Sequence, residues 1–61
     1  MNDFRLEWYD EELGMRIQQH NWISPKGYYY RQYDREDGTS SIKFRISEKS
    51  FISAVEELVN A

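Results

Sequence analysis

Several residue types that often stabilise a chain of 61 residues are absent or rare in this one. There is no cysteine, so disulfide bonds cannot compensate for a small core, and a structural zinc site is not expected. A domain of this size buries only about 60% of the surface of its unfolded chain. Oligomerisation is the remaining way to gain stability, and we expect a homodimer. The absence of cysteine also favours a reducing, cytoplasmic location.

Long apolar segments are absent as well. No stretch approaches the roughly 18 apolar residues of a membrane-spanning helix, and no charged-then-apolar leader opens the chain. We therefore expect no signal peptide, no membrane association, and one small domain over residues 1–61.

The sequence patterns of common enzymes are absent too. There is no glycine-rich phosphate loop, and none of the serines has the flanking glycines of a nucleophile elbow. The single histidine, His20, has no companion spaced for catalysis or metal binding. The sequence therefore predicts no catalytic residue, no metal and no organic cofactor. A nuclease-like activity on supercoiled DNA is the enzymatic alternative, and the sequence gives it little support.

What the chain does have is a run of tyrosines around an arginine at residues 28–33. On a strand, alternate side chains point to opposite faces, so Tyr28 and Tyr30 separate from Tyr29, Arg31 and Tyr33. We assign the first pair to the core and the second set to an open face. That open face could stack unpaired bases, pack across the sheet, or form a protein interface.

Alternating apolar and polar residues predict four strands, over residues 4–9, 15–23, 28–34 and 41–46. A bulge near Asn21 could shift the phase of the second strand. A helix over residues 5–13 competes with the first strand. Helical spacing of apolar residues after Ser47, a candidate N-cap, predicts a C-terminal helix of about three turns. The fold class is therefore α+β, a four-stranded antiparallel sheet followed by one helix (ββββα).

One face of the sheet should be packed and the other open. We expect the stripe of the helix to consist of Phe51, Ile52, Val55, Leu58 and Val59. We expect it to cover Phe4, Leu6, Trp8, Met15, Ile17, Tyr28, Tyr30, Phe44 and Ile46. The open face would carry Arg16, Gln18, Tyr29, Arg31, Tyr33, Lys43 and Arg45. Ile52 and Val59 widen the stripe beyond the need of one sheet, which favours pairing with a second copy.

The charge of the chain is unevenly distributed. The net charge is −4 in residues 1–12, +3 in residues 13–45 and −2 in residues 46–61. The basic middle coincides with the aromatic run, so a local stripe could bind phosphates although the whole chain is acidic.

Two motifs of the middle and the C-terminal part resemble the transcriptional coactivator p15 (positive cofactor 4) family. They are Tyr30-Arg31-Gln32-Tyr33 before a short charged loop, and Phe44-Arg45-Ile46-Ser47-Glu48 leading to Phe51 and the helix. Trp22 is also similar to a tryptophan of the bacterial YdbC-type branch. The resemblance covers about residues 15–59. It implies a ββββα unit that dimerises through its helices, binds single-stranded DNA on its sheet and needs no cofactor.

The leading hypothesis is therefore a cofactor-free module that binds single-stranded or distorted DNA on its open sheet face. Its candidate binding residues are Arg16, Trp22, Lys26, Tyr29, Arg31, Tyr33, Lys43 and Arg45. The alternative is a small phage or mobile-element inhibitor, such as an anti-CRISPR protein, since small phage proteins of similar fold antagonise CRISPR nucleases. It would alter DNA topology or bind a host nuclease or other host protein, using an acidic patch of Asp10, Glu11 and Glu12.

Overall fold

The computed structural model describes residues 2–61 as four strands followed by one helix. The elements are β1 (Asp3–Asp10), β2 (Met15–Ile23), β3 (Tyr29–Arg35), β4 (Phe44–Arg45) and α1 (Glu48–Asn60). The strands form one antiparallel sheet in the order β1-β2-β3-β4. The predicted ββββα fold is confirmed, and the extended conformation of β1 excludes the competing helix over residues 5–13.

The second strand runs without interruption, so the possible bulge near Asn21 is not present. The fourth strand is shorter than predicted. The hydroxyl oxygen Oγ of Ser41 accepts a hydrogen bond from the Tyr33 backbone N–H at 2.9 Å. The backbone N–H of Ser41 in turn donates to the Tyr33 carbonyl at 2.8 Å. A side-chain oxygen thus replaces a backbone acceptor of the regular ladder before β4 begins. Ile42 remains 85% exposed in this segment.

The N-terminus of α1 forms as its sequence predicts. Ser47 lies in an extended conformation, and its Oγ accepts the backbone N–H of Ser50 at 3.0 Å. This bond satisfies one of the amides that a helix leaves without an intrahelical partner, and Glu48 adds a negative charge to the first turn. Within the described residues 2–61, no helix is long and apolar enough to cross a membrane.

The core lies between α1 and one end of the sheet. Phe4 and Leu6 of β1 are buried against Phe51 and Ala54 of the helix, and the rings of Phe4 and Phe51 meet edge to face at 5.5 Å. Partly buried apolar side chains surround this cluster; they are Ile23, Tyr29, Ile46, Val55 and Leu58. The helix has only 13 residues, about 20 Å, so it covers part of the sheet face.

Several predicted core residues lie outside this cluster. Trp8 is 39% exposed, and Phe44 is also exposed; both pack on Tyr33 beyond the area that α1 covers. Ile17 is buried as predicted, whereas Met15 is only partly buried. On α1, Ile52 and Val59 are exposed, so the stripe that packs on the sheet is narrower than predicted.

Candidate functional site

The phase of β3 is opposite to the predicted one, and this decides which residues the open face carries. Residues directly opposite each other in an antiparallel pair share a face. Tyr29 lies opposite Ile23, and Arg31 lies opposite the buried Asn21. The side chains of Tyr29, Arg31 and Tyr33 therefore lie on the side of the sheet that α1 packs against.

Contacts of these three side chains agree with the register. The Tyr29 ring lies 5.0 Å from that of Phe51. Arg31 Nε donates to Asn21 Oδ1 at 2.7 Å, and Tyr33 stacks on Phe44 at 6.0 Å. The prediction that Tyr29, Arg31 and Tyr33 lie on the open face is wrong. The prediction that Tyr28 and Tyr30 lie under the helix is wrong for the same reason.

The register could have been found from the turn between β2 and β3. Ser24 to Tyr28 form a five-residue connection, closed by the Ser24 N–H donating to the Tyr28 carbonyl at 2.8 Å. With Ile23 facing the helix, a loop of this length places Tyr29 opposite it and on the same face. The tyrosine run alone did not show this, because it offers tyrosines to both faces.

A stack of aromatic rings crosses the open face of the sheet. The Trp22 ring lies between His20 and Tyr30, with centroids at 4.6 Å and 5.7 Å and ring planes within 29° and 19°. Trp22 and Tyr30 are direct partners on β2 and β3, and His20 is two residues along β2. The alternation of two neighbouring strands therefore builds the stack.

Two cations lie over the tyrosines at the edge of this stack. Lys43 Nζ is 5.7 Å from the centroid of the Tyr30 ring, and Arg45 Cζ is 4.0 Å from that of Tyr28. Both distances are within the range of cation–π contacts. We refer to Trp22, Tyr28, Tyr30, Lys43 and Arg45 as the open-face patch.

Charges on the other half of the open face are mostly paired. Arg16 Nη1 forms a salt bridge with Glu7 at 2.9 Å, and Gln18 donates to the same carboxylate at 3.2 Å. His20 Nε2 lies 2.6 Å from Asp3 Oδ1. Arg16 thus lies on the predicted face, but its charge is compensated locally, which reduces what it can offer a ligand.

His20 takes part in the packing of the open face. Its side chain is only 17% exposed, stacks on Trp22 and contacts Asp3, so its ring forms one end of the ring stack.

Lys26 is exposed at the tip of the turn that joins the strands of Trp22 and Tyr30. Residues 2–61 contain no group of three or more His, Cys, Asp or Glu side chains placed to hold a metal ion.

The acidic patch lies in the turn between β1 and β2, at the end of β2 opposite to Trp22. Glu11 and Glu12 are exposed, but Asp10 has a structural task. Its Oδ1 accepts the Leu13 backbone N–H at 2.9 Å, and its carbonyl accepts the Gly14 N–H at 2.8 Å. Two of the three acidic side chains are thus available to a partner, and the third stabilises the turn.

Local hydrogen bonds shift the pKa values of Tyr29 and Asp37, which both lie away from the open-face patch. The hydrogen bond from the Tyr29 hydroxyl to Glu48, then partial burial and the Glu48 charge, raise the pKa of Tyr29. Hydrogen bonds from the Thr39 hydroxyl and N–H lower the pKa of Asp37. Both shifts follow from local hydrogen bonding in turns and at the helix start.

Comparisons with known proteins give no further assignment: no family model, no curated protein and no solved structure matches this chain significantly.

Proposed function

We propose that this protein is a cofactor-free module that binds single-stranded or distorted DNA on the open-face patch. One observation carries the proposal: Trp22 and Tyr30 form a ring stack on an open sheet, and two cations border its outer edge. Aromatic rings that stack bases, next to cations that contact phosphates, are the chemistry of single-strand binding. Such a function would place the protein in the cytoplasm.

The strand order suggests how a base would enter. Tyr30 lies on β3, with Trp22 on one side on β2 and Lys43 on the other side, just before β4. At 5.7 Å, the ammonium of Lys43 is near the outer limit of a cation–π contact. A base could extend the stack beyond Tyr30 while the flexible lysine moves to a phosphate. Stacking of this kind contributes about 1–3 kcal/mol per base.

The patch differs from the one that the sequence predicted, yet its composition is similar. Tyr28 and Tyr30 replace Tyr29 and Tyr33, and Arg31 no longer contributes. Lys26, Lys43 and Arg45 are exposed and form none of the salt bridges found in residues 2–61. Their charges are available to phosphates, although Arg45 also contacts Tyr28.

The proposed module is a homodimer that pairs through α1. Ile52 and Val59 support this, since they are 48% and 66% exposed on a helix whose other apolar residues face the sheet. Apolar side chains exposed together on a small domain are typical of a surface that pairs with a second copy.

The test is fluorescence anisotropy with labelled single- and double-stranded oligonucleotides over a salt series. We expect single strands to bind, and Tyr30→Ala to weaken that binding about 5- to 150-fold, the equivalent of one lost stacking contact. Tyr9→Ala is the matched control, because Tyr9 is an exposed tyrosine on β1 of the same sheet face, away from the patch. Equal binding by both variants, or no binding of either oligonucleotide at low salt, contradicts the proposal.

Protein binding through the acidic turn is the second candidate function. Glu11 and Glu12 support it, because they are exposed and form no salt bridge within the part of the chain that the structure describes. A basic surface on a host nuclease or other host protein would complement them. Its test is a pull-down that is lost on Glu11→Lys and Glu12→Lys while oligonucleotides cause no gel shift. Asp10 is left unchanged because it stabilises the turn.

A further inference from the structure

Arg31 has an environment that neither DNA binding nor the core explains. It lies on the helix side of the sheet, partly buried, and its Nε donates to Asn21 Oδ1 at 2.7 Å. The Asn21 side chain is fully buried, and its Nδ2 donates to Gln19 Oε1 at 3.0 Å. A rigid network of neutral groups therefore fixes the orientation of the guanidinium.

The same guanidinium lacks an anionic partner among residues 2–61. The Arg–carboxylate salt bridge in that part of the chain joins Arg16 to Glu7, and the Asp3 carboxylate contacts His20. Its other hydrogen bond among those residues is long, 3.4 Å from Nη2 to the carbonyl oxygen of Ser50. A partly buried cation is normally paired, since desolvation of an unpaired charge is unfavourable.

A hollow of about 320 Å³ adjoins Arg31 between the sheet and α1. Its polar lining consists of Gln19, Arg31, Lys49, Ser50, Ser53 and Glu57. The volume is at the lower end of the range for small-molecule sites, about 300–1,000 Å³, and exceeds what a bare oxyanion fills. Two cations and two hydroxyls here match an anionic group, and the remaining space leaves room for the body of the ligand.

We propose that this hollow, the Arg31 cleft, binds a small molecule that carries a phosphate monoester. With Nε held by Asn21, the Nη1 and Nη2 end of Arg31 faces the ligand as a fork suited to two phosphate oxygens. Lys49 supplies a second positive charge, and the Ser53 hydroxyl supplies a further donor. The carboxylate of Glu57 lines the same hollow and would repel a second anionic group, which favours ligands with a single phosphate.

This cleft and the open-face patch lie on opposite sides of the sheet. Phosphate binding in the cleft and DNA binding on the patch can therefore be tested independently of each other. The test is a two-dimensional ¹H–¹⁵N titration of the protein with phenyl phosphate at constant ionic strength. We expect saturable shifts of the Arg31 Nε–H and the Ser53 amide, while the Trp22 indole N–H on the other face does not move. Inorganic phosphate should produce the same shifts with weaker affinity, and sodium chloride none.

Two exposed side chains allow the affinity to be changed without removing Arg31 from its buried network. Lys49→Gln should weaken phenyl phosphate binding about fivefold, and Glu57→Gln should strengthen it by a similar factor, each through one charge a few ångströms from the phosphate. Arg5→Gln is the control for Lys49→Gln, because it removes one positive charge from an exposed position on the opposite face of the sheet and should leave the affinity unchanged.

Three results would overturn the proposal. The first is the absence of saturable shifts. The second is shifts of equal size around Arg5, an exposed cation outside both proposed sites, which would indicate an adventitious ion only. The third is a Glu57→Gln variant that binds no phenyl phosphate and unfolds at a lower urea concentration, since Glu57 would then be the counterion of Arg31. Arg31→Lys keeps the charge and removes the fork, and it should abolish the shifts of the Ser53 amide.

Discussion

Asn21 is a buried polar residue on which we expect the stability of the fold to depend. Its side chain is 0% exposed, accepts the Arg31 Nε–H at 2.7 Å and donates to Gln19. Asn21→Leu keeps the number and branching of the side-chain heavy atoms but removes the acceptor and the donor, leaving a partly buried guanidinium and the Gln19 amide oxygen without their partner. Groups orphaned in this way usually destabilise more than the lost bond alone would suggest.

The expected loss can be estimated from these contacts. A hydrogen bond to a charged group contributes about 1.5–3 kcal/mol, and an orphaned neutral acceptor adds about 1 kcal/mol, so we expect a loss of about 3 kcal/mol. A chain of this size has a free energy of unfolding of about 3–9 kcal/mol. The variant should therefore lose a third or more of its stability and melt about 10–25 °C lower.

Urea unfolding followed by tryptophan fluorescence measures this loss as a lower midpoint at an unchanged m-value. Asn60→Leu is the control, because it makes the same substitution at an exposed position and should stay within about 0.5 kcal/mol of the wild type. In the double variant Asn21→Leu, Arg31→Met, the orphaned charge is gone, so much of the stability should return. A midpoint like that of the wild type for Asn21→Leu, or a double variant as unstable as the sum of the single ones, would refute this reasoning.

Three further predictions concern α1. Ser47→Ala should lower the free energy of unfolding by about 1 kcal/mol, because it removes the acceptor of the Ser50 N–H; an unchanged midpoint in denaturant would contradict the cap. The pKa of Tyr29 is raised above 10, the ordinary value of a tyrosine, so the neutral form of Tyr29 stabilises the fold. This contribution is fully present below pH 10 and is lost as the pH rises through the folded-state pKa. Glu48→Gln should lower that pKa in a ¹³C-tyrosine NMR titration, and an unmoved titration would exclude the hydrogen bond as its cause. Val59→Asp should convert the proposed homodimer into monomers in sedimentation velocity, and a wild type that is already monomeric at high concentration would exclude the dimer.

The fold could be predicted because each element carries its own local signal. The alternation of Phe4, Leu6 and Trp8 indicates a strand, and helical spacing after Ser47 indicates α1. The turns add glycines at positions that need a positive φ, such as Gly38 at 90°. These patterns depend on a few neighbouring residues, so no knowledge of the tertiary structure was required.

The extent of the core could not be predicted in the same way. Which apolar residues α1 covers depends on where a helix of 13 residues lies on the sheet. Trp8 and Phe44 have the alternation of core residues, yet both lie beyond the helix and pack on Tyr33. Asn21 was not expected in the core either, because its burial depends on Arg31 across the sheet.

The phase of β3 was the largest error, and its consequence for the proposed function is measurable. The five cations among the predicted binding residues would give a slope of about −3.5 in a plot of log affinity against log salt for single strands. In the structure, Arg31 lies on the helix side of the sheet, and Arg16 is paired with Glu7. Of the predicted cations, Lys26, Lys43 and Arg45 therefore remain to contact phosphates. Three phosphate contacts correspond to a slope of about −2. The salt series therefore tests the number of phosphate contacts as well as the binding, because a slope near −3.5 would require about two contacts beyond those of Lys26, Lys43 and Arg45.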